Sequence, residues 1–497
     1  MMATTWDRAR LEGLIGAELS NRKFIAVSNR EPYIHRFTED GIACFRPASG
    51  MSTAIDPIMM ASGGTWIAHG AGDADAEVVD QNDSLQVPPD SPRYRLRRVW
   101  LTKEEEEGYY YGLSNRALWP LCHVTFTRPH FDEADWQTYR RVNERFADAV
   151  IREADGEPAV VFIQDYHFCL LPRLLKERGG DLKILQFFHI PWPNHEMFRP
   201  FPWKEELLDG LLGNDLLGFH IRYHCQNFLT TVDRFLEARI DHEHSEITRQ
   251  GQSTMVRPFP ISIDAEAHAR MADSDDVTAR MEKWRKRLRL GNRLLGLGIE
   301  RLDYTKGIPE RLRGYEKFLT EHPEWHGKTV FLQIAVPSRS HLTEYQRIEE
   351  EVDLAIERIN WKFRQPHWQP VVLIKEHQSQ PEMMALHRLA HYMTVSSLHD
   401  GMNLVAKEFV MSRSDNAGVL ILSRFTGAYR ELEQAVGINP FASHEVAQAI
   451  AFALTMSPED QALRMSRMRE HVLQNNVYRW GGKFLSTLLR ISDRFEP

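Results

Sequence analysis

An arginine and a lysine stand just beyond an apolar run in Leu294–Gly307, LLGLGIERLDYTKG. The run ends at Ile299, and Glu300, Arg301, Asp303, Lys306 and Gly307 follow at once. Arg301 offers a planar fork of donors and Lys306 a mobile point charge, a pairing suited to a diphosphate. The same charges also suit a solvated surface turn. In Leu398–Phe409, LHDGMNLVAKEF, Asp400 and Gly401 end a loop and a helix of good formers begins near Asn403. Free N–H groups at a helix start bind anions, and Glu408 lies further along that helix, within reach of a ribose. The competing reading is an ordinary helix with Asp400 as its N-cap.

Two more segments place polar residues straight after apolar runs. Phe162–Phe168, FIQDYHF, carries Asp165 and His167; Phe187–Pro193, FFHIPWP, carries His189. A carboxylate and an imidazole there would each hold a sugar hydroxyl. A capping aspartate and a hydrogen-bonded core histidine are the plainer alternatives. Arg30, in VSNREPY, directly follows the first apolar run and suits a phosphate, while Gly50, in RPASGMSTA, permits close backbone approach. Tyr109–Tyr111, Trp119 and Arg339 (in VPSRS) complete the anion and sugar partners, although taken alone Tyr110 and Trp119 read more readily as core residues.

Positioning these residues requires strands. The candidates are Phe24–Ser28, Ala159–Ile163, Ile184–Phe188, Leu216–Phe219, Leu294–Ile299, Thr329–Ile334, Val371–Ile374 and Gly418–Leu422. Most are unbroken β-branched or aromatic runs, as parallel strands covered on both faces are. Helical patterns intervene at Trp136–Glu153, Glu205–Leu212, Asp276–Arg289 and Leu342–Arg358, and another closes the chain at Val477–Phe495. This alternation predicts an α/β class with doubly wound sheets. Two strand series separated near Pro258–Asp264 predict two domains, 1–263 and 264–476, with the helix 477–497 packing back on the first. Ligands of open α/β sheets bind at the carboxyl ends of strands, so two facing sheets would form a cleft.

Composition narrows the functions. With 42% hydrophobic and 26% charged residues the chain is an ordinary globular protein. Its formal charge of −8 supplies no global basic field for a nucleic acid. The four cysteines, Cys44, Cys122, Cys169 and Cys225, form no CxxC pair and read as reduced, mostly buried thiols of a cytoplasmic protein. No apolar run is long enough for a signal peptide or a membrane span. Asp241–Glu246, DHEHSE, looks like a metal cluster, but it reads as a solvated stretch that no strand or helix fixes. Glu104–Glu107 reads as a charge run at a helix start.

SNR, LSNRALWP, QDYH, FFHIPWP, ERLDYTKGIPER, QIAVPSRS, RIN and HDGMNLVAKE occur in the order found in trehalose-6-phosphate synthases. The resemblance runs from about Phe24 to about Trp480. It implies the GT-B fold, two Rossmann-like domains with the active site between them. It also implies a retaining glucosyl transfer from a nucleotide sugar, UDP-glucose, to a phosphorylated acceptor, glucose 6-phosphate, forming α,α-trehalose 6-phosphate without metal or cofactor. On the matching motifs, Arg301 and Lys306 resemble the donor-diphosphate pair. Gly401, Met402, Asn403, Leu404 and Val405 resemble the cradle for diphosphate and donor glucose, and Glu408 the ribose carboxylate. Asp400 and His189 resemble groups holding donor glucose, and Asp165 the acceptor-sugar carboxylate. Arg30, Tyr110, Trp119 and Arg339 resemble the acceptor pocket, and Gly50 the glycine of a loop closing over the donor. His189, Asp165, Arg301, Lys306 and Asp400 would surround the reacting centre. Three positions depart from the family pattern: His69 stands for a tryptophan, Trp361 for a glycine and Gln378 for an aromatic residue. The resemblance leaves room for glycerol 3-phosphate as acceptor, as in glucosylglycerol-phosphate synthases, or for a non-catalytic sugar-phosphate sensor. A homo-oligomer and a separate phosphatase acting on the product are expected; a nucleic acid or membrane partner is not.

Overall fold

All eight apolar runs read as strands are strands in the computed structural model, which describes residues 6–19, 21–47 and 50–492. Up to the helix Ala265–Ala272 the chain forms β1 (Lys23–Arg30), β2 (Ile34–Thr38), β3 (Gly41–Phe45), β4 (Thr65–His69), β5 (Ser84–Val87), β6 (Tyr94–Val99), β7 (Ala159–Gln164), β8 (Leu182–Phe187), β9 (Leu216–Phe219), β10 (Arg239–Asp241), β11 (Glu246–Arg249) and β12 (Gln252–Pro258). Beyond it come β13 (Leu294–Arg301), β14 (Thr329–Val336), β15 (Val371–Ile374), β16 (Tyr392–Val395), β17 (Val419–Ser423) and β18 (Val436–Ile438). The chain divides into two units. One runs to Ile261 and resumes at Val477; the other is Ser262–Asn476.

The first unit's large sheet has the order β10-β11-β12-β9-β8-β7-β1-β4-β6-β5. Its seven central strands are parallel, and β5, β10 and β11 are antiparallel at the edges. The second unit's sheet is wholly parallel, in the order β15-β14-β13-β16-β17-β18. Counted along the chain, both sheets start in the middle, run to one edge, return and run to the other. That is the doubly wound order, and it creates one switch point per sheet: between β1 and β7, and between β13 and β16. At a switch point consecutive connections leave to opposite sides, so the strand ends there stay open to a ligand.

The strands absent from the sequence reading are short or charged. TWIAH of β4 is bracketed by glycines, and YRLRRV of β6 carries three arginines. Their charges are met in the fold: Arg97 pairs with Glu153, and Arg98 with Glu31 and Asp75. The C-terminal helix spans Val477–Ser492 and packs on the helices Arg8–Glu18 and Gly50–Ser62. Its Trp480 Nε1 donates to Phe259 O at 3.1 Å, and Phe484 meets Phe259 edge to face at 4.2 Å. No helix among the described residues is long and apolar enough to cross a membrane.

Candidate active site

The second switch point gathers the cationic residues. Arg301 is the last residue of β13, and Lys306 closes the turn that follows it. Between them Asp303 is fully buried. Burial alone would raise its carboxyl, yet Arg339, Arg301 and Lys306 hold it below the ordinary range. Arg339 Nη1 lies 3.5 Å from Asp303 Oδ2, and the Tyr345 hydroxyl also donates to that oxygen. Three cations are thus gathered round one carboxylate, which leaves a positive excess at the strand end. Among the described residues no carboxylate pairs with the half-buried Arg301 guanidinium.

Lys306 Nζ reaches Asp400 Oδ2 at 2.7 Å, and the Ser397 hydroxyl and Asn403 Nδ2 donate to the same oxygen at 3.2 Å. Asp400 therefore anchors the loop instead of capping the helix. The cap is Asn403, whose Oδ1 accepts from Ala406 N at 3.0 Å ahead of the helix Leu404–Ser412. Gly401 and Met402 are buried, while Leu404 and Val405 are partly exposed at the helix start. Gly307 sits at φ 62°, and a Cβ there would lie 2.2 Å from Ser396 O. Gly307→Ala should accordingly cost about 2 kcal/mol and misplace Lys306, read as a lower melting temperature together with reduced turnover.

Glu408 projects from that helix without a hydrogen-bond donor for its carboxylate among the described residues. Burial pushes its carboxyl from an ordinary 4.5 up to about 7. Because the folded value is the higher one, the ligand-free protein gains from protonating Glu408. That contribution is complete below about 4.5 and is lost as pH climbs through about 7. Glu408→Gln should remove a pH-dependent loss of about 2–3 kcal/mol, measured by denaturant melts from pH 5 to 8 against the parent chain.

At the first switch point Arg30 ends β1 and donates from Nη2 to the Tyr110 hydroxyl at 2.9 Å. Tyr110 belongs to a stretch of π-helix, Glu107–Leu118, whose wide turn is held by Asn115: its Nδ2 donates to Tyr110 O and its Oδ1 accepts from the Tyr166 hydroxyl. The Tyr110 ring stacks on His167 at 5.7 Å, and Trp119 is buried against His123 and Tyr166. Asp165 leaves β7 at φ 72°, a conformation few non-glycine residues hold. It accepts from His189 N at 3.1 Å, which brings the QDYH and FFHIPWP segments together. His189 Nε2 lies 2.9 Å from Gln164 Oε1, and burial, then His220 and His167, lowers its pKa well below the usual value. The ring is therefore neutral: it donates through Nε2 and leaves the Nδ1 lone pair for a hydroxyl donor.

Sequence reasoning missed several supports. Asn115, Gln164 and Tyr345 each fix a neighbour, and Asn403, read only as part of the cradle, is the helix cap; a polar residue within or beside a motif was the only available hint. Gly50 is the exposed first residue of the helix Gly50–Ser62, and the preceding positions 48 and 49 lie outside the described residues. DHEHSE is not a free stretch: Asp241 pairs with Glu246 across the β10–β11 hairpin, so strands do fix it. Among the described residues no cluster of His, Cys, Asp and Glu is arranged to hold a metal ion. His69 is buried at the end of β4, with Nδ1 3.1 Å from Val99 O. Of the cysteines, Cys122, Cys169 and Cys225 are buried and Cys44 is exposed, all free thiols.

A family model for glycosyltransferase family 20 matches residues 22–490. The chain is 40% identical over 397 residues to the bifunctional trehalose-6-phosphate synthase/phosphatase of Thermoproteus tenax, covering 79% of this chain and 53% of that longer relative. It is 36% identical over 487 residues to the trehalose-6-phosphate synthase of Mycobacterium avium, covering 96% of this chain and 97% of the relative. Among solved structures, an E. coli protein described as bound with UDP-2-fluoro glucose superposes with a TM-score of 0.84 at 30% identity, covering 94% and 99% of the two chains. A UDP-forming α,α-trehalose-phosphate synthase from Burkholderia xenovorans in complex with glucose-6-phosphate gives a TM-score of 0.84 at 29% identity, covering 94% and 100%. The chain belongs to glycosyltransferase family 20 and is a GT-B glycosyltransferase of the trehalose-6-phosphate synthase family.

Proposed function

We propose that the chain moves glucose from UDP-glucose to glucose 6-phosphate with retention at the anomeric carbon, giving α,α-trehalose 6-phosphate and UDP. The observation that carries this reading is the cationic excess of Arg301, Lys306 and Arg339 round Asp303, one strand away from the capped start of Leu404–Ser412. The relatives bound with UDP-2-fluoro glucose and with glucose-6-phosphate support the same pair of substrates.

In this reading Arg301 and Lys306 take the donor diphosphate, with Lys306 exchanging Asp400 for phosphate. Asp400 is then released to a glucose hydroxyl. The N–H groups of the Gly401–Val405 segment add donors, and Glu408 takes the ribose. Arg30, Tyr110, Trp119 and Arg339 hold the acceptor, Asp165 one of its hydroxyls, and His189 a donor hydroxyl. Gly50 contributes backbone beside the donor. The bond from C1 to the diphosphate oxygen breaks, and the acceptor hydroxyl oxygen bonds C1 from the same face. Its proton passes to the departing phosphate oxygen. Charge grows on the diphosphate as C1–O cleavage proceeds, where fixed cations are worth most. No carboxylate pair of the glycosidase kind is needed.

The test is a matrix of UDP-, GDP- and ADP-glucose against glucose 6-phosphate and glycerol 3-phosphate with purified protein. UDP-glucose with glucose 6-phosphate should give the highest kcat/KM and a disaccharide phosphate product. Turnover with glycerol 3-phosphate alone, or with no acceptor in the set, would refute the assignment.

A further inference from the structure

Immediately beyond Arg30 lies a charged cluster that the transfer itself does not use. Glu31, Asp75, Arg98 and His35 are 1%, 0%, 2% and 7% exposed. Arg98 Nε donates to Glu31 Oε2 at 2.8 Å, and its Nη2 reaches Asp75 Oδ1 at 2.7 Å. Arg98 Nη1 and Nη2 also donate to Asp75 O and Tyr33 O. His35 Nδ1 lies 2.9 Å from Arg98 Nη2 and therefore accepts, so that nitrogen carries no proton. Burial and the neighbouring Asp75 carboxyl raise the Glu31 carboxyl, while Asp75 is held below its ordinary range, so Glu31 carries the proton. One guanidinium, one carboxylate and one carboxylic acid make the buried group neutral.

The same atoms grip a turn. Glu31 Oε1 accepts from Ala71 N at 3.0 Å, and Asp75 Oδ2 from Gly72 N at 2.7 Å. A Cβ on Gly72 would lie 2.3 Å from His35 O and 2.8 Å from the Asp75 carboxyl, so only glycine allows this approach. The turn leaves the end of β4, where His69 is in register with Arg30 on β1. We infer that Glu31, with Asp75 and Arg98, is a positioning residue for the acceptor: the cluster clasps the turn Gly70–Gly72 to the exit of β1 and so fixes Arg30 for the acceptor phosphate. This inference rests on the proposed acceptor role of Arg30.

Burial, then the Asp75 hydrogen bond, pushes the Glu31 carboxyl up to about 8 despite Arg98. The proton is thus present at neutral pH and leaves as pH rises through about 8. The charged and titratable groups around it are Arg98 on β6, Asp75, and Cys44 of the β2–β3 hairpin, with His35 facing the same Arg98 and Asp75. Losing the proton adds an unbalanced negative charge to the buried cluster one residue beyond Arg30 in the chain.

Glu31→Ala, Glu31→Gln and Arg30→Ala test the clasp, with KM for each substrate, kcat and melting temperature measured from pH 6.5 to 9. Glu31→Ala should raise the KM for glucose 6-phosphate about tenfold and leave the donor KM unchanged. Glu31→Gln, isosteric with the acid, should keep the parent acceptor KM at pH 7 and abolish its rise above pH 8. A folded Glu31→Ala variant with parental acceptor KM, beside an Arg30→Ala variant with a raised one, overturns the clasp alone. Parental acceptor KM in both overturns the acceptor reading and the clasp with it. If Glu31→Ala does not fold, the Gln variant decides: an alkaline rise equal to the parent's overturns the inference.

Discussion

Replacing Arg301 and Lys306 together with alanine should lower kcat/KM by about 10⁴-fold or more while the protein stays folded. Removing one preorganised donor from a developing anion costs about 3–4 kcal/mol, a factor of 10²–10³, and two independent donors multiply. The fold should survive for reasons specific to each side chain. Arg301 is half-buried, and among the described residues no carboxylate forms an ion pair with it. Loss of Lys306 leaves Asp400 with the Ser397 and Asn403 donors, and Asp303 keeps Arg339, Thr305 and Tyr345. Arg301→Lys should recover only part of the rate, because an ammonium cannot make the two parallel contacts of a guanidinium. Steady-state kinetics with circular dichroism melts provide the check. Turnover within tenfold of the parent in the double variant would refute the diphosphate assignment.

Arg311→Met should destabilise the second unit by about 3–5 kcal/mol, because it leaves a buried carboxylate unpaired. Arg311 is fully buried in its helix, and Glu300 is 8% exposed at the end of β13. The guanidinium meets both Glu300 oxygens, at 2.8 and 2.6 Å, and also reaches Gln333 Oε1 and Ser396 Oγ at 3.0 Å. One side chain thereby ties β13 and β14 to Ser396, the residue that follows β16. The Ser396 hydroxyl in turn donates to Gly307 O at 2.8 Å, so the same network supports the Lys306 turn. Replacing Glu300 and Arg311 together by methionine should be much milder than the single change, since no charge is then stranded. Denaturant melts of the single and double variants would decide. A single variant within 1 kcal/mol of the parent would show that the pair carries no such burden.

Much of the site was legible because of how parallel sheets are built. Strands covered on both faces must be apolar throughout, so the runs ending at Ile299 and Ile163 are visible as strands. Ligand residues follow such strands at their carboxyl ends, so Arg301, Lys306 and Asp165 stand out by position alone. Motif order then placed the chain among the trehalose-6-phosphate synthases before any distance was known. Among the strands that escaped notice, β4, β6 and β16 are short or carry arginines, and a charged strand reads as a strand only once its distant partners are known.

The amino-acid sequence by itself determined the fold class, the family and the residues that end the central strands, because each depends on local pattern. Tertiary structure alone decided the partners. Arg30 finds Tyr110 from 80 residues away and Lys306 finds Asp400 from 94, while Glu300 and Arg311, the two ends of one motif, turn out to be bonded to each other. It also decided that Asn403 caps the helix and that Glu31 and Asp75 meet on Arg98. The reason is physical: a charge leaving water needs a compensating group within a few ångströms, and which group that is follows from strand order, not from spacing along the chain.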